Sequence, residues 1–272
     1  MNKKMYYLVA LSCLLIAACS APQESDIPLP EHPRPDFERA AWINLNGYWS
    51  FTFDADAAGK ALLSGDCAFF DQRILVPFPW GSPLSGVEDG ADIAWYGREI
   101  CIPESWQGKR VFLVVGASDW ETTAWLDGNE AGTHQGGYTP FEFELKNVRF
   151  GQKQQLIIRA DDTPSQAHLY GKQGYGNARG IWQTVYLEAR PQNYLTSLHF
   201  TPDVDNSCVK VDISLAGPAE TGETFTLKFK TGDQETFSAP VEGQSSSFTV
   251  PIRDQHLWDI DDPFLYEVER SE

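Results

Sequence analysis

The sequence predicts an all-β protein made of two consecutive sandwiches. Three observations predict it. Short runs rich in β-branched and aromatic residues recur along the chain between Gly, Pro, Asn and Asp. Helical periodicity is scarce. The character of the runs changes near Pro191, where Trp becomes rare and the strands become plainer. Nine Trp and 13% aromatic residues point to a packed body rather than a disordered chain.

Residues 1–18 read as a secretory signal. Two lysines precede an apolar run from Tyr6 to Ala18 that is short for a bilayer span. The run ends in Leu15-Ile16-Ala17-Ala18-Cys19, which resembles a bacterial lipobox. That resemblance implies lipidation of Cys19, membrane attachment, and a periplasmic or cell-surface location. Residues 19–37, polar and Pro-rich, read as a tether. Removing the signal deletes two lysines and no acid, so the formal charge moves from −17 to −19. So acidic a body, without a basic patch, excludes nucleic acid as a partner.

Residues 38–190 form the first expected sandwich, with enough chain to bury a full core. "LNGYWSFTFD" alternates Trp49, Phe51 and Phe53 with Tyr48, Ser50 and Thr52. "RVFLVVGA" is nearly all apolar, as a strand covered on both faces should be. "TTAWLDGNEAGTH" carries Asp127-Gly128, a two-residue hairpin turn. "KQQLIIRADD" and "IWQTVYLEA" supply two further strands. Residues 191–272 form the second, immunoglobulin-like sandwich from "CVKVDISLAG", "ETFTLKFKTG" and "SSFTVPI", each alternating apolar with polar. It is expected to be incomplete, with another strand due after "HLWDIDDPFLYEVERSE".

Five ordered blocks carry a family resemblance. "HPRPDFERAAWINLNGYWSFTFD", "PFPWGSPLSGV", "AWYGREICIPESWQGKRVFLVVGASDWETTAWLDGNEAG", "HQGGYTPFEFEL" and "GNARGIWQTVYLE" resemble the amino-terminal sugar-binding domain of glycoside hydrolase family 2. "LWDIDDPFLY" resembles that family's immunoglobulin-like segment. The family contains β-galactosidases, β-glucuronidases and β-mannosidases. The resemblance implies a jelly-roll (galactose-binding-like) first sandwich, carbohydrate as the ligand and no cofactor. It also implies that chemistry resides in a separate (β/α) barrel with two glutamates, placed roughly 5 Å apart for a retaining displacement. No such barrel follows in this sequence, so no catalytic residue is expected in it. The expected role is the sugar-binding front of a secreted β-glycosidase. The rival is a stand-alone carbohydrate-binding or scaffolding surface lipoprotein.

Asn129-Glu130 imitates an acid/base dipeptide, yet it directly follows the Asp127-Gly128 turn and reads as scaffold. The loop "YGKQGYGNARGIWQ" is the stretch that, by resemblance, reaches a substrate pocket. There Asn177 and Arg179 are candidate hydroxyl donors and Tyr175 a candidate stacking ring; an interdomain loop without ligand is the equal reading. Some family members place an Asp near position 174 or 175, where this chain has Gly174 and Tyr175, so a carboxylate role does not transfer. His134 is a further candidate for sugar, against a plain packing role. Trp120 and Trp125 read as core or interdomain packing residues rather than an exposed stacking platform. No metal site is expected: Asp161-Asp162 and Asp259, Asp261 and Asp262 lack the calcium-loop spacing. Cys67, Cys101 and Cys208 lack CxxC spacing and allow one disulfide.

Overall fold

A computed structural model describes residues 27–54, 70–164, 179–219, 222, 224–230 and 235–271. The lipobox Cys19, the loop residues Tyr175 and Asn177, and Cys67 lie outside the described residues. Two compact units are present. The first takes in the described residues through Gln107 together with Val111–Ala189, and the second Gly108–Arg110 and the described residues from Arg190 onward.

The first unit is a β-sandwich. Its strands are β1 (Trp42–Asn44), β2 (Gly47–Phe53), β3 (Gln72–Val76), β4 (Ile93–Cys101), β5 (Arg110–Val115), β6 (Ser118–Asp119), β7 (Glu121–Leu126), β8 (Asn129–Gln135), β9 (Phe141–Glu144), β10 (Lys153–Asp161), β11 (Gly180–Ile181) and β12 (Val185–Arg190). One sheet has the order β3-β2-β4-β10-β7-β8 and the other β1-β12-β5-β9, while β6 and β11 form a separate two-stranded ladder. Because side chains alternate across a strand, each sheet sends every second residue inward. Trp49 and Phe51 of β2, Leu156 and Ile158 of β10, and Leu113 and Val115 of β5 meet in one apolar cluster, with Phe53 packed at its margin. The aromatic alternation read from "WSFTF" is the alternation observed.

The outer face of the six-stranded sheet holds a second, smaller cluster. Trp95 of β4 and Trp125 of β7 stack with centroids 5.4 Å apart, beside Ile157 and under Phe70. Trp125 is therefore buried as expected, but on the face away from the main core. β12 is buried at every position, because its outer face is covered as well. There His32 sits edge-on to Trp42 and Tyr186, and Arg39 pairs with the buried Glu188 at 2.7 Å. Asn46 donates to the Pro28 carbonyl at 2.9 Å. Residues 27–37, read above as the end of a tether, thus pack onto the sandwich. Hydrogen bonds and ring contacts hold that stretch, and the folded body begins ahead of residue 38.

The second unit has two three-stranded sheets. β13 (Leu195–Asp203), β14 (Cys208–Leu215) and β17 (Ser245–Pro251) form one, in that order; β16 (Glu235–Pro240), β15 (Thr224–Lys230) and β18 (Glu267–Ser271) form the other. Val209, Val211, Ile213 and Leu215 alternate into its core along β14. Phe225 and Phe237 bring their rings to 5.5 and 5.8 Å from Phe248, joining the sheets. The segment after Tyr266 pairs with β15. Asp259, Asp261 and Asp262 form a turn in which the Asp261 N–H donates to Asp259 and His256 bonds Asp262 at 2.7 Å. Cys101 is disulfide-bonded and Cys208 carries a free thiol.

The hairpin between β7 and β8 turns on Asp127 and Gly128, both at positive φ, as the dipeptide predicts. Asp127 also anchors a neighbour: its carboxylate accepts from Arg149 at 2.7 Å, Gln154 at 2.8 Å and the Gln155 N–H at 2.8 Å. Burial alone would raise its pKa, but those partners together hold it below the ordinary 3.8. The resulting stability is present above the ordinary value and is lost as pH falls through the lower folded value. Asp127→Asn keeps the turn and removes the charge, so it should cost about 1 kcal/mol at neutral pH. Urea unfolding across pH should show that gap closing in acid, below the ordinary carboxylate value.

Candidate functional site

The expected substrate loop leaves β10 after Asp161 and returns at Arg179, and both stems are described. Arg179 is 9% exposed, and its backbone bridges to Trp80. Its guanidinium bonds Asp92 and lies 3.7 Å from Asp89 and 3.6 Å from Asp162. The Asp162 N–H donates to the Asp92 carbonyl at 2.8 Å. Burial would lower the Arg179 pKa, but the three carboxylates overcome it and raise it. Arg179 thus ties together the start of the loop, its end and the 88–92 turn. Its donors face carboxylates, so it holds the stems of the loop.

Gly180 makes this closure possible. It lies at φ 72°, and a Cβ there would collide with the Trp80 ring and the Tyr96 hydroxyl. The Ile181 N–H donates to the Tyr96 oxygen at 3.3 Å, and burial drives the Tyr96 phenol pKa well up against that bond. Gly180 pairs with Asp119 and Ile181 with Ser118 in the β6–β11 ladder. On the neighbouring stem Arg159 bonds Asp161 at 2.6 Å and lies 3.8 Å from Glu121. Burial would raise the Asp161 pKa, but Thr163 and Arg159 bring it down overall.

His134 sits on β8, with its ring stacked on Phe141 at 4.1 Å and 12°. Its Nε2 is buried without a hydrogen-bond partner among the described residues, and Gly136 packs beside it. His134 and Arg179 occupy separate clusters, so the structure does not bring these two candidates together. Glu130 pairs across the hairpin with Trp125 and is exposed. Trp120 is 45% exposed and so lies outside the core of this sandwich. It stands between β6 and β7, directly after Asp119. Tyr138 and Trp182, not singled out from sequence, lie near it, their rings 5.8 Å apart. The Gly136-Gly137 pair was the available signal, since glycines that let chains cross closely mark such junctions.

The profile described as "Glycosyl hydrolases family 2, sugar binding domain" matches residues 43–191, and that described as "Glycosyl hydrolases family 2" matches residues 193–271. The chain belongs to glycosyl hydrolase family 2. Among its relatives are a β-glucuronidase of Paenibacillus borealis, 23% identical over 82% of this chain and 41% of the relative, and one of Bacteroides fragilis, 25% identical over 84% and 35%. A Thermoanaerobacter pseudethanolicus β-galactosidase is 27% identical over 47% of this chain and 18% of the relative. The solved Lactobacillus rhamnosus β-glucuronidase superimposes with a TM-score of 0.68 at 20% identity, covering 86% of this chain and 42% of that one. That likeness establishes the fold, and this family 2 chain spans less than half the length of these relatives.

Within the family 2 sandwich, Arg179 makes a specific prediction. Arg179→Ala removes the cation that the buried Asp162 shares with Asp89 and Asp92 and should cost roughly 2–3 kcal/mol, below the figure for a fully buried pair because Asp89 and Asp92 are part-exposed. Arg179→Lys should recover little of it, since an ammonium cannot fork between three acceptors. Urea unfolding of the three proteins measures both effects.

Proposed function

We propose that this chain is the non-catalytic, sugar-binding amino-terminal region of a secreted, retaining β-glycosidase. The observation that carries the reading is the ordered match of both its sandwiches to family 2, with the first matched to the sugar-binding domain. In this reading a barrel domain supplies the paired carboxylates of the double displacement. The sandwich supplies the loop between β10 and β11, held at its stems by Arg179. Tyr175 and Asn177 of that loop contact the substrate by ring stacking and hydrogen bonding, and the His134 ring, stacked on Phe141, supports the adjoining strand. Cys19 carries the lipid that keeps the protein at the membrane.

Glu130 does no acid/base work in this reading. A general acid works inside a pocket that encloses the bond to be cleaved, and Glu130 stands exposed on a hairpin. The purified 272-residue chain should therefore leave 4-nitrophenyl β-galactoside, β-glucuronide and β-mannoside unhydrolysed. Turnover that disappears with Glu130→Gln would overturn this reading. A second measurement addresses the anchor: Cys19→Ala should move the protein from the membrane fraction to the soluble fraction. Continued sedimentation with membranes would exclude the lipid at Cys19.

A further inference from the structure

We propose that Trp120, Tyr138 and Trp182 form a binding surface for an uncharged hexopyranose ring. The proposal rests on the sugar-binding reading above, and adds to it a place on the sandwich and a ligand charge.

The Tyr138 and Trp182 rings meet at a chain crossing that also holds the Trp120 backbone. The Gly136 N–H donates to the Trp120 carbonyl at 3.0 Å, and Trp182 Nε1–H donates to the Gly137 carbonyl at 2.7 Å. Gly137 passes so close to Asp119 that a Cβ would lie 2.6 Å from its carboxylate. The crossing is thus fixed from both sides, and Tyr138 follows directly from it. Tyr138 is 82% exposed and meets Trp182 edge-on, at 68° between planes. Trp120, on the other side of Gly136, presents nearly half of its surface. The same unit buries Trp49, Trp80, Trp95, Trp106 and Trp125, so rings left in water here stand apart from its general use of Trp.

Exposed rings on a fixed backbone suit the apolar C–H face of a pyranose, and they lose little freedom on binding. The rim supplies what hydroxyls need. Glu121 and Asp119 flank Trp120, Gln135 donates to Glu121 at 2.7 Å, and the exposed Gln183 follows Trp182. Carboxylates accept strongly from hydroxyl groups. They also set the ligand's charge. Among the described residues the cation beside Glu121 is Arg159, which Asp161 and Glu121 together outweigh, so that side of the rim is negative. A uronic acid would bring its own carboxylate against that field. The surface therefore selects a neutral sugar, unlike the substrate named for the glucuronidase relatives.

The test is tryptophan fluorescence of the full chain titrated with methyl β-galactoside, β-glucoside, β-mannoside and β-glucuronide. Saturation is expected with at least one neutral glycoside at roughly millimolar concentration, with the glucuronide about tenfold weaker. Trp120→Ala and Tyr138→Ala should each weaken it about tenfold with unchanged unfolding midpoints, while Tyr138→Phe retains it. Isothermal calorimetry gives the same comparison without depending on the removed indole. Binding that survives both alanine variants but is lost in Asn177→Ala overturns this surface and leaves the sugar-binding reading intact. Tightest binding of the glucuronide overturns the charge assignment. Saturation with none of the four overturns the sugar-binding reading and this surface together.

Discussion

The functional end of the first sandwich depends on one close passage, that of Arg179, Gly180 and Ile181 over Trp80 and Tyr96. A side chain at Gly180 would meet both rings. Without one, the backbone sinks onto the core and three things follow. Arg179 comes within reach of Asp89, Asp92 and Asp162; Gly180 and Ile181 pair with β6; and Trp182 is carried to the Gly137 carbonyl. Core packing and site geometry are thus one constraint. A change at Gly180 would act on the Arg179 stem, the small ladder and the placement of Trp182 together.

The electrostatics of this end follow the same logic. Arg179 faces three carboxylates, and Arg159 faces two. Each cation faces more than one carboxylate, so an excess of negative charge is left over. In a chain of formal charge −17 that excess is not offset by distant groups. The clusters are built for holding chain segments, because a guanidinium spans several acceptors at once. For ligand choice the consequence is that a substrate carboxylate would meet an excess of negative charge at both arginines.

Much of the fold was legible locally. The alternation in "WSFTF", the uniform apolarity of "VFLVV" and the Asp-Gly turn each encode their own environment within a few residues. The site was legible only in outline. Arg179 stood out as a polar residue in a glycine-rich loop, but its partners Asp89 and Asp92 lie far away in the chain and become neighbours only through the closing of the sheets. Trp120 and Trp125 look alike in sequence. Trp125 is covered because Trp95 and Phe70 meet it across strands; Trp120 has no such cover among the described residues. The docking of residues 27–37 was hidden for a similar reason. A Pro-rich, polar stretch reads as linker, and what seats it is His32 against Trp42 and Tyr186, contacts that composition does not contain.

Asn129-Glu130 shows from the other side why position outweighs a motif. The dipeptide is the sort that places an acid in sugar-cleaving enzymes, and its neighbours here include aromatic rings. Yet the Asn129 amide is spent on the turn, donating to the Leu126 carbonyl at 3.2 Å and that of Asp127 at 3.3 Å. Glu130 lies opposite Trp125 where the register slips, on an exposed hairpin. Acid/base catalysis asks for desolvation and a second carboxylate across the bond to be broken. The hairpin supplies turn chemistry instead: positive φ at Asp127 and Gly128, and carbonyls capped by an amide. A motif acquires a reaction from the cavity around it, and these residues were placed by the needs of a two-residue turn.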